Sequence, residues 1–320
     1  MYYDRTEDKT SSTVLKNNYL QSIINTFDID FQHNFQFLDR HNLTWGLGYR
    51  FIADNIHNAV NFSFDPTSRD YNLYSAFIQD DISIIPDKLL FIVGSKFEHN
   101  DFSGFEVQPN ARLLYTPDDK QTVWASVSRA VRTPNRLDHG LDEVYISEFA
   151  PSQFLVGTHN SDFDSEKLIA YELGYRIQPT QHLFVDVAAF YNDYDDLSSV
   201  EPGVLFLNTD FGTPQLNVPI FPGNQRYGET YGVELAADWQ ALDWWGLKLG
   251  YSFLRVQLHA DRDGNTLDAT RGEGDAPQHQ VMLTSSMDLV ENLEFDTFFR
   301  YVERLPGRNI SSYADLDVRL

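Results

Sequence analysis

Three arginines and an asparagine are concentrated in the run Ser128-Arg-Ala-Val-Arg-Thr-Pro-Asn-Arg136. The guanidinium group donates several hydrogen bonds in a fixed planar arrangement, which matches a phosphate or a carboxylate. Arg129, Arg132 and Arg136 could therefore bind an anionic ligand, or they could pair with carboxylates of the protein itself. The 47 acidic residues, against 24 basic ones, favour an internal salt bridge for Arg132.

Carboxylates occur in two places where they could bind a cation. Asp193, Asp195 and Asp196 supply the oxygen ligands that divalent cations prefer, but without a fixed ligand spacing they are more typical of a solvated loop. The run Asp261-Arg-Asp-Gly-Asn265 lacks the later glutamate of a calcium loop and contains the turn signal Asp-Gly, so we interpret it as a loop tip. The nine histidines include no closely spaced pair with a third ligand, so we predict no metal site.

Common catalytic motifs are absent from the sequence. It contains no G-x-S-x-G, no P-loop and no G-x-G-x-x-G, and without cysteine it has neither a thiolate nucleophile nor a disulfide. The formal charge of -23 opposes binding to a nucleic acid, whose backbone is bound mainly through cations. We therefore expect no enzyme activity, no cofactor and no nucleic-acid partner.

The elements that carry these residues are predicted to be β-strands. The 320 residues are 42% hydrophobic and 14% aromatic, and long segments alternate apolar and polar residues with period two. In the clearest segment, one face carries Phe27, Ile29, Phe31, Phe35 and Phe37, while polar residues such as Gln32 occupy the other. The sequence predicts an all-β fold.

The length of these segments points to a membrane. We count about thirteen of them with about ten residues or more, which exceeds the usual globular strand and suits a transmembrane strand. A soluble β-sandwich, which also alternates apolar and polar residues, is the alternative.

The connections between the segments differ in length. Short turns are predicted near residues 39–41, 86–88, 117–120, 179–182, 242–243 and 290–292. Long loops are predicted near residues 54–69, 98–104, 133–164, 195–226, 259–276 and 304–311. Short turns alternating with long loops are typical of a transmembrane antiparallel β-barrel whose long loops are extracellular.

Strand parity gives directions to the arginine-rich run. Val123, Ala125 and Val127 would face lipid, which points Arg129 outward near the extracellular rim, where we predict contact with lipopolysaccharide phosphates. Arg132 would face the lumen and meet an anionic ligand or a loop carboxylate. The further predicted ligand contacts are Asn135, Arg136 and Tyr194.

Glu172 and Arg176 lie on the same polar face of one predicted strand. Their separation along that strand is too long for a direct salt bridge, so we expect each side chain to pair with a neighbouring strand. This predicts a structural role in the barrel wall for both residues.

Several stretches together indicate a family. They are Phe77-Ile-Gln-Asp-Asp81, the arginine-rich run 128–136, Tyr171-Glu-Leu-Gly-Tyr-Arg176, Phe190-Tyr-Asn-Asp-Tyr-Asp-Asp-Leu197 and Tyr231-Gly-Val-Glu-Leu235. At these relative positions they resemble the TonB-dependent outer-membrane receptors, and the resemblance covers nearly the whole chain.

This resemblance implies a barrel of about 22 strands around an N-terminal plug, within the range known for such barrels. It also implies import of a scarce ligand, such as a ferric siderophore or cobalamin, with energy delivered through TonB. The sequence contains no plug, TonB-contacting segment or signal peptide, and the odd number of strands breaks the even-number rule of bacterial barrels. We therefore expect residues 1–320 to be an incomplete barrel domain, truncated at both ends.

The implied partners are outer-membrane lipid, lipopolysaccharide, a small ligand such as an iron chelate, and the TonB complex through the N-terminal region. The expected location is the outer membrane of a Gram-negative type of cell, with a monomeric complete protein. A passive pore and a surface-binding, adhesin-like barrel are the alternative functions, because neither requires a plug or energy coupling.

Overall fold

The structure is a computed structural model that describes residues 1–11, 19–59, 62–150, 153–209, 214–261, 264 and 266–320. Most of these residues belong to strands of one 18-stranded sheet, which confirms the predicted all-β fold. No helix in this described part is long and apolar enough to cross a membrane.

Most of the sheet is a continuous antiparallel wall of long strands. Its strands are β1 (Tyr2–Ser11), β2 (Tyr19–Phe37), β3 (His41–His57), β5 (Ser68–Ile85), β6 (Leu89–Asn100), β7 (Gly104–Asp118), β8 (Gln121–Arg132), β11 (Glu166–Thr180), β12 (Leu183–Pro202), β14 (Gln215–Leu242), β15 (Trp245–Ala260), β16 (His279–Val290), β17 (Leu293–Val302) and β18 (Tyr313–Arg319). Each strand pairs with the next in this order, and among the described residues β1 and β18 do not pair with each other.

The remaining elements lie in the long connections. They are β4 (Phe62–Phe64), the short helix α1 (Arg136–Gly140), β9 (Leu141–Ala150), β10 (Gln153–Gly157), β13 (Phe206–Asn208) and a 3-10 helix at Pro306–Arg308. β9 pairs with β4 on one side and β10 on the other, and β10 runs parallel to the first residues of β14. We call β4, α1, β9, β10, β13 and residues 158–165 the cap, because they link loops from distant parts of the wall.

The wall has one apolar and one polar face, as strand alternation requires. Tyr171, Tyr191 and Tyr231 are in register on the apolar face, with ring centroids 6.4 and 6.5 Å apart, and we call them the tyrosine row. Toward the short turns the same face continues with Leu173, Ala189, Val233 and Phe253. Toward the loops it becomes mostly polar, with Arg129, Asp193, Glu229 and Gln257 in register with Ile169. The tyrosine row therefore marks one edge of the apolar band.

The two faces predicted for residues 27–37 are also found in β2. Phe31 lies opposite Leu47 on the apolar face and is 52% exposed, while its ring centroid lies 5.3 Å from that of Trp45. Gln32 lies opposite Gly46, on the other face. The exposure of this apolar face agrees with the predicted contact with lipid.

The described residues form fourteen strands of the wall where about thirteen are predicted, because residues 2–11 also form a strand. The odd-number argument for truncation therefore does not apply. Two expectations about the connections need correction. Residues 98–100 belong to β6, and only residues 101–103 form a tight turn, where the Asn100 side chain accepts hydrogen bonds from the amides of Phe102 and Ser103 at 2.9 Å. Residues 195–226 are mostly strand, since β12 and β14 remain paired as far as Pro202 and Ile220. The six predicted short turns are all present.

The few deeply buried apolar side chains lie at the loop end. Among the described residues they are Ile56, Phe64, Val156 and Phe163, exposed by 7% or less. All of them belong to the cap or to the strand ends that meet it. Among the described residues the wall has no comparable buried apolar core, because it is a single layer of sheet with both faces open.

Candidate functional site

Arg132 ends β8 and forms a bidentate ion pair with Glu166, the first residue of β11. Both nitrogen-to-oxygen distances are 2.7 Å, and Glu166 also accepts a hydrogen bond from the backbone amide of Ser198 at 2.7 Å. The internal salt bridge favoured for Arg132 is therefore present. The Arg132 side chain nevertheless remains 48% exposed, so one side of the guanidinium is open.

The charge state of Glu166 follows from these contacts. Glu166 lies on the loop side of Tyr171 and so outside the apolar band. Burial would raise the pKa of its carboxyl, but the hydrogen bonds from Arg132 and Ser198 outweigh this effect and hold the pKa below its ordinary value of 4.5. Glu166 is therefore ionised at neutral pH and links the ends of three strands.

Arg136 and Asn135 are used inside the cap. The Asn135 side chain accepts a hydrogen bond from the Leu137 amide at 2.8 Å and so caps α1. Arg136 Nε donates to Asp54 at 2.7 Å, and a second nitrogen donates to the Pro66 carbonyl. The two paired side chains are only 11% and 3% exposed, so this ion pair joins α1 to the end of β3 within the protein.

Arg129 lies on the apolar face of the wall, one position beyond the tyrosine row, as the parity argument predicts. The β7–β8 ladder ends where Asn110 meets Ser128. Beyond that point Arg129 donates to the Val107 carbonyl at 2.5 Å and lies 3.6 Å from Glu106. Its guanidinium thus extends the attachment of β8 to β7 where backbone pairing has stopped.

Tyr194 lies close to Arg129 rather than to Arg132. Both line a cavity of about 350 Å³ together with Lys167, Asp193 and Asp195. Lys167 forms an ion pair with Asp196. The predicted contact residues therefore occupy three places: this cavity, the β8–β11 junction and the cap interior.

The acidic clusters show no metal geometry. Within the described residues, no three His, Cys, Asp or Glu side chains are grouped as metal ligands. The loop tip predicted at residues 261–265 stays a prediction, because residues 262, 263 and 265 lie outside the described part of the chain.

The polar face carries ion pairs between strands. Glu172 accepts a hydrogen bond from Ser126 at 2.8 Å and lies 3.6 Å from Arg112, while Arg176 pairs with Asp186. The expectation that Glu172 and Arg176 each pair with a neighbouring strand is confirmed. These half-exposed pairs line a polar surface that a hydrophilic solute can contact.

The sequence analysis does not identify several residues that make important contacts. Asp54 and Glu166 are the partners of predicted residues, and Arg226 forms a second enclosed ion pair in the loops. Arg226 donates to the Arg271 carbonyl at 2.7 Å and lies 3.4 Å from Asp268, with the two side chains only 9% and 13% exposed. No local motif marks these residues, because their partners are distant in the chain.

A long-stranded wall with one apolar and one polar face, short turns at one end and an ordered cap at the other is the architecture of an outer-membrane receptor barrel. The model of the TonB-dependent receptor-like β-barrel family matches residues 2–320. The chain belongs to this family, whose members are receptor and transport barrels. The predicted family is confirmed.

Solved structures share the fold. The siderophore receptor PirA from Acinetobacter baumannii matches with a TM-score of 0.74 and 14% identity, over 99% of this chain and 52% of that one. A mutant of the ferric enterobactin receptor PfeA from Pseudomonas aeruginosa gives 0.71 and 15%, over 94% and 46%. The FrpB iron transporter from Neisseria meningitidis gives 0.67 and 13%, over 94% and 48%. The chain thus spans about half the length of these receptors. A comparison with curated protein sequences gives no match.

Proposed function

We propose that this chain forms the wall and the extracellular cap of an outer-membrane receptor that imports a scarce anionic ligand, with a ferric siderophore as the leading candidate. Import would use energy delivered through TonB. The observation that carries the proposal is the family match over residues 2–320. We further propose that residues 1–320 act as one barrel domain.

The proposed ligand contacts are Arg132, Asn135, Arg136 and Tyr194. Arg132 is the strongest of them, because its side chain is 48% exposed while Glu166 holds it in place. A guanidinium oriented in this way can donate to an anionic chelate without losing its carboxylate partner. Arg136 would act mainly by positioning the cap, since its side chain is 11% exposed.

The proposed surroundings follow from the two faces of the wall. The apolar face would contact outer-membrane lipid, and the charged residues beyond the tyrosine row, Arg129 among them, would lie near lipopolysaccharide phosphates. TonB and a small-molecule iron chelate are the other proposed partners, and the complete protein would be a monomer. We propose no catalytic, metal-binding or nucleic-acid-binding role.

Uptake of radiolabelled ferric enterobactin, the ligand of a structural neighbour, tests this function in cells that produce the protein. Uptake is expected to stop when the proton gradient is collapsed. An Arg132→Ala variant should weaken binding by about tenfold, the usual effect of losing a charge-assisted hydrogen bond. Arg176→Ala is the matched control, because it removes an ion-paired arginine from the polar face near the short turns.

Two outcomes would contradict the proposal. Uptake that persists without the proton gradient would identify a passive pore. Binding of cells to a surface, without uptake of any of a panel of ferric chelates and cobalamin, would identify an adhesin-like protein.

A further inference from the structure

A cavity of about 410 Å³ lies on the polar face of the wall, across β2, β3, β5 and β6. Two of its lining residues, Asp28 and Asp30, lie on that face of β2. Asp28 is 3% exposed, and its Oδ2 atom accepts a hydrogen bond from Arg50 Nε at 2.6 Å. Its Oδ1 atom is buried and accepts no hydrogen bond from any described residue. A buried carboxylate oxygen of this kind is unfavourable unless a donor reaches it.

A second carboxyl group lies beside this oxygen instead of a donor. The Asp30 carboxyl is within hydrogen-bonding reach of the Asp28 carboxyl. Two ionised carboxylates have no hydrogen to share, and their like charges repel each other. The pair therefore requires either one shared proton or a positively charged donor that contacts both carboxyl groups.

The charges in and beside the cavity leave one negative charge unmatched. Arg50 pairs with Asp28, and Lys96 pairs with Glu98 at 2.5 Å. Asp30 has no ion-pair partner in the part of the chain that the structure describes. A ligand with a single positive charge would balance the cavity, whereas a divalent metal ion would leave a positive charge in excess.

Gly48 lets a third oxygen approach the two carboxyl groups. It lies in register between Asp30 on β2 and Ser75 on β5. A Cβ atom at position 48 would be 2.5 Å from Ser75 Oγ and 2.9 Å from Asp30 Oδ1, so both oxygens lie over the glycine backbone. With Asp28, the cavity then offers three oxygen acceptors, which matches the three hydrogens of an ammonium group. Phe77 lines the same cavity and offers an apolar surface for an alkyl chain.

We propose that this cavity binds a primary ammonium group that the imported solute carries on an alkyl arm. Asp28 and Asp30 accept hydrogen bonds from the ammonium group and balance its charge, and Ser75 accepts the third hydrogen bond. The alkyl arm lies against Phe77. The proposal rests on the proposed function, which places the polar face toward the interior of a receptor barrel. It adds a cationic group to the anionic group that Arg132 is proposed to recognise.

Binding of n-pentylamine, which is protonated at neutral pH, tests the site without any transport step. Titrations of the full-length purified protein in detergent micelles, followed by saturation-transfer NMR, measure the dissociation constant. Asp30→Asn is expected to weaken binding by about tenfold or more, because it removes a charge-assisted hydrogen bond. Asp81→Asn is the matched control, since Asp81 lies outside the cavity and accepts a hydrogen bond from Gln79 at 2.9 Å. Equal loss in both variants, or no loss in Asp30→Asn, would overturn the proposal.

Gly48→Ala tests the geometry of the site without changing any charge. The added Cβ atom displaces the Asp30 and Ser75 oxygens, so n-pentylamine should bind about tenfold more weakly than it binds the wild type. Wild-type affinity in Gly48→Ala would contradict the convergence of these oxygens on one ligand.

Two further probes identify the chemistry of the ligand. 1-Pentanol, which has the same alkyl chain without a charge, should not bind, and Ca²⁺ should not compete with n-pentylamine. Competition by Ca²⁺ would identify a metal site, and absence of n-pentylamine binding would show that a shared proton satisfies the two carboxyl groups. Either result would overturn this inference. Neither would alter uptake that stops when the proton gradient is collapsed, so a failure of the proposed function is recognised separately.

Discussion

The wall and the cap of this protein are stabilised in different ways. In the wall, residues such as Phe31 and Leu173 are 52% and 57% exposed, and ion pairs such as Arg176 with Asp186 connect neighbouring strands at an open surface. In the cap, Phe163 is 2% exposed, and the ion pair between Arg136 and Asp54 is almost completely enclosed.

The difference shows that one chain is adapted to two environments. The wall buries little within itself, so its stability depends on the backbone ladder and on whatever covers the apolar face, which is lipid in the proposed function. The cap has the packed interior and enclosed polar pairs of a soluble domain, so its stability depends on contacts within the chain. A substitution should therefore affect one region without affecting the other.

The largest effect is expected when the enclosed ion pair of the cap is broken. Arg136→Met leaves the Asp54 carboxylate buried without its partner, which should destabilise the cap by about 3 to 5 kcal/mol. Hydrogen exchange of the amides in α1 and β4 should become faster, while exchange in β6 and β15 should not change. Arg136→Met combined with Asp54→Asn should recover part of the loss. An equal increase of the exchange rates in the wall and in the cap would contradict the claim that the two regions are stabilised independently.

The next effect concerns the two faces of the wall. Phe31→Arg would place a charge against lipid and should lower the free energy of unfolding by about 2 to 4 kcal/mol if the residue lies near the bilayer centre. Gln32→Arg, one residue away on the polar face, should cost much less and is the matched control. Denaturant titrations in lipid vesicles measure both values. Equal losses would show that the register of the wall is wrong.

A smaller effect should appear in acid at the junction between wall and cap. The pKa of Glu166 is lowered in the folded protein, so its ion pair contributes fully above the ordinary value of 4.5 and is lost as the pH falls below that value. Spin labels on α1 and near Ser198 should move apart over this range. Glu166→Gln should lack this component of the pH response. If the distance between the spin labels changed with pH in the same way in the wild type and in Glu166→Gln, the role given to Glu166 would be refuted.

The smallest effect is expected for an exposed pair of the wall. Asp186→Asn removes the partner of Arg176, whose side chain is 59% exposed, so stability should change by less than about 1 kcal/mol. The same titrations in vesicles can measure this change. A loss of stability as large as that of the Arg136 variant would contradict the claim that exposed ion pairs contribute less than enclosed ones.

The wall could be predicted from the sequence because successive side chains of a β-strand face opposite sides of the sheet. Phe31 and Gln32 must face opposite ways, and a run such as Tyr171 to Ile177 repeats that alternation. The rule ends where the strands leave the apolar band. Residues 98–100 and 195–202 are polar and were predicted as loops, although the structure continues them as strands above the tyrosine row.

The cap could not be predicted in the same way because its contacts join distant parts of the chain. Arg136 and Asp54 are separated by 82 residues, and neither residue type nor spacing identifies them as partners. Arg132 was recognised as a candidate, but its partner Glu166 was not.

Sidedness in intact cells tests the central claim most directly, namely that the wall spans the outer membrane with the cap outside. The chain has no cysteine, so single cysteines can be labelled without background. Asp162→Cys, in the cap, should react with a membrane-impermeant maleimide in intact cells. Gln181→Cys, in a short turn, should react only after the outer membrane is permeabilised. Labelling of Gln181→Cys in intact cells, or protection of Asp162→Cys, would contradict this placement.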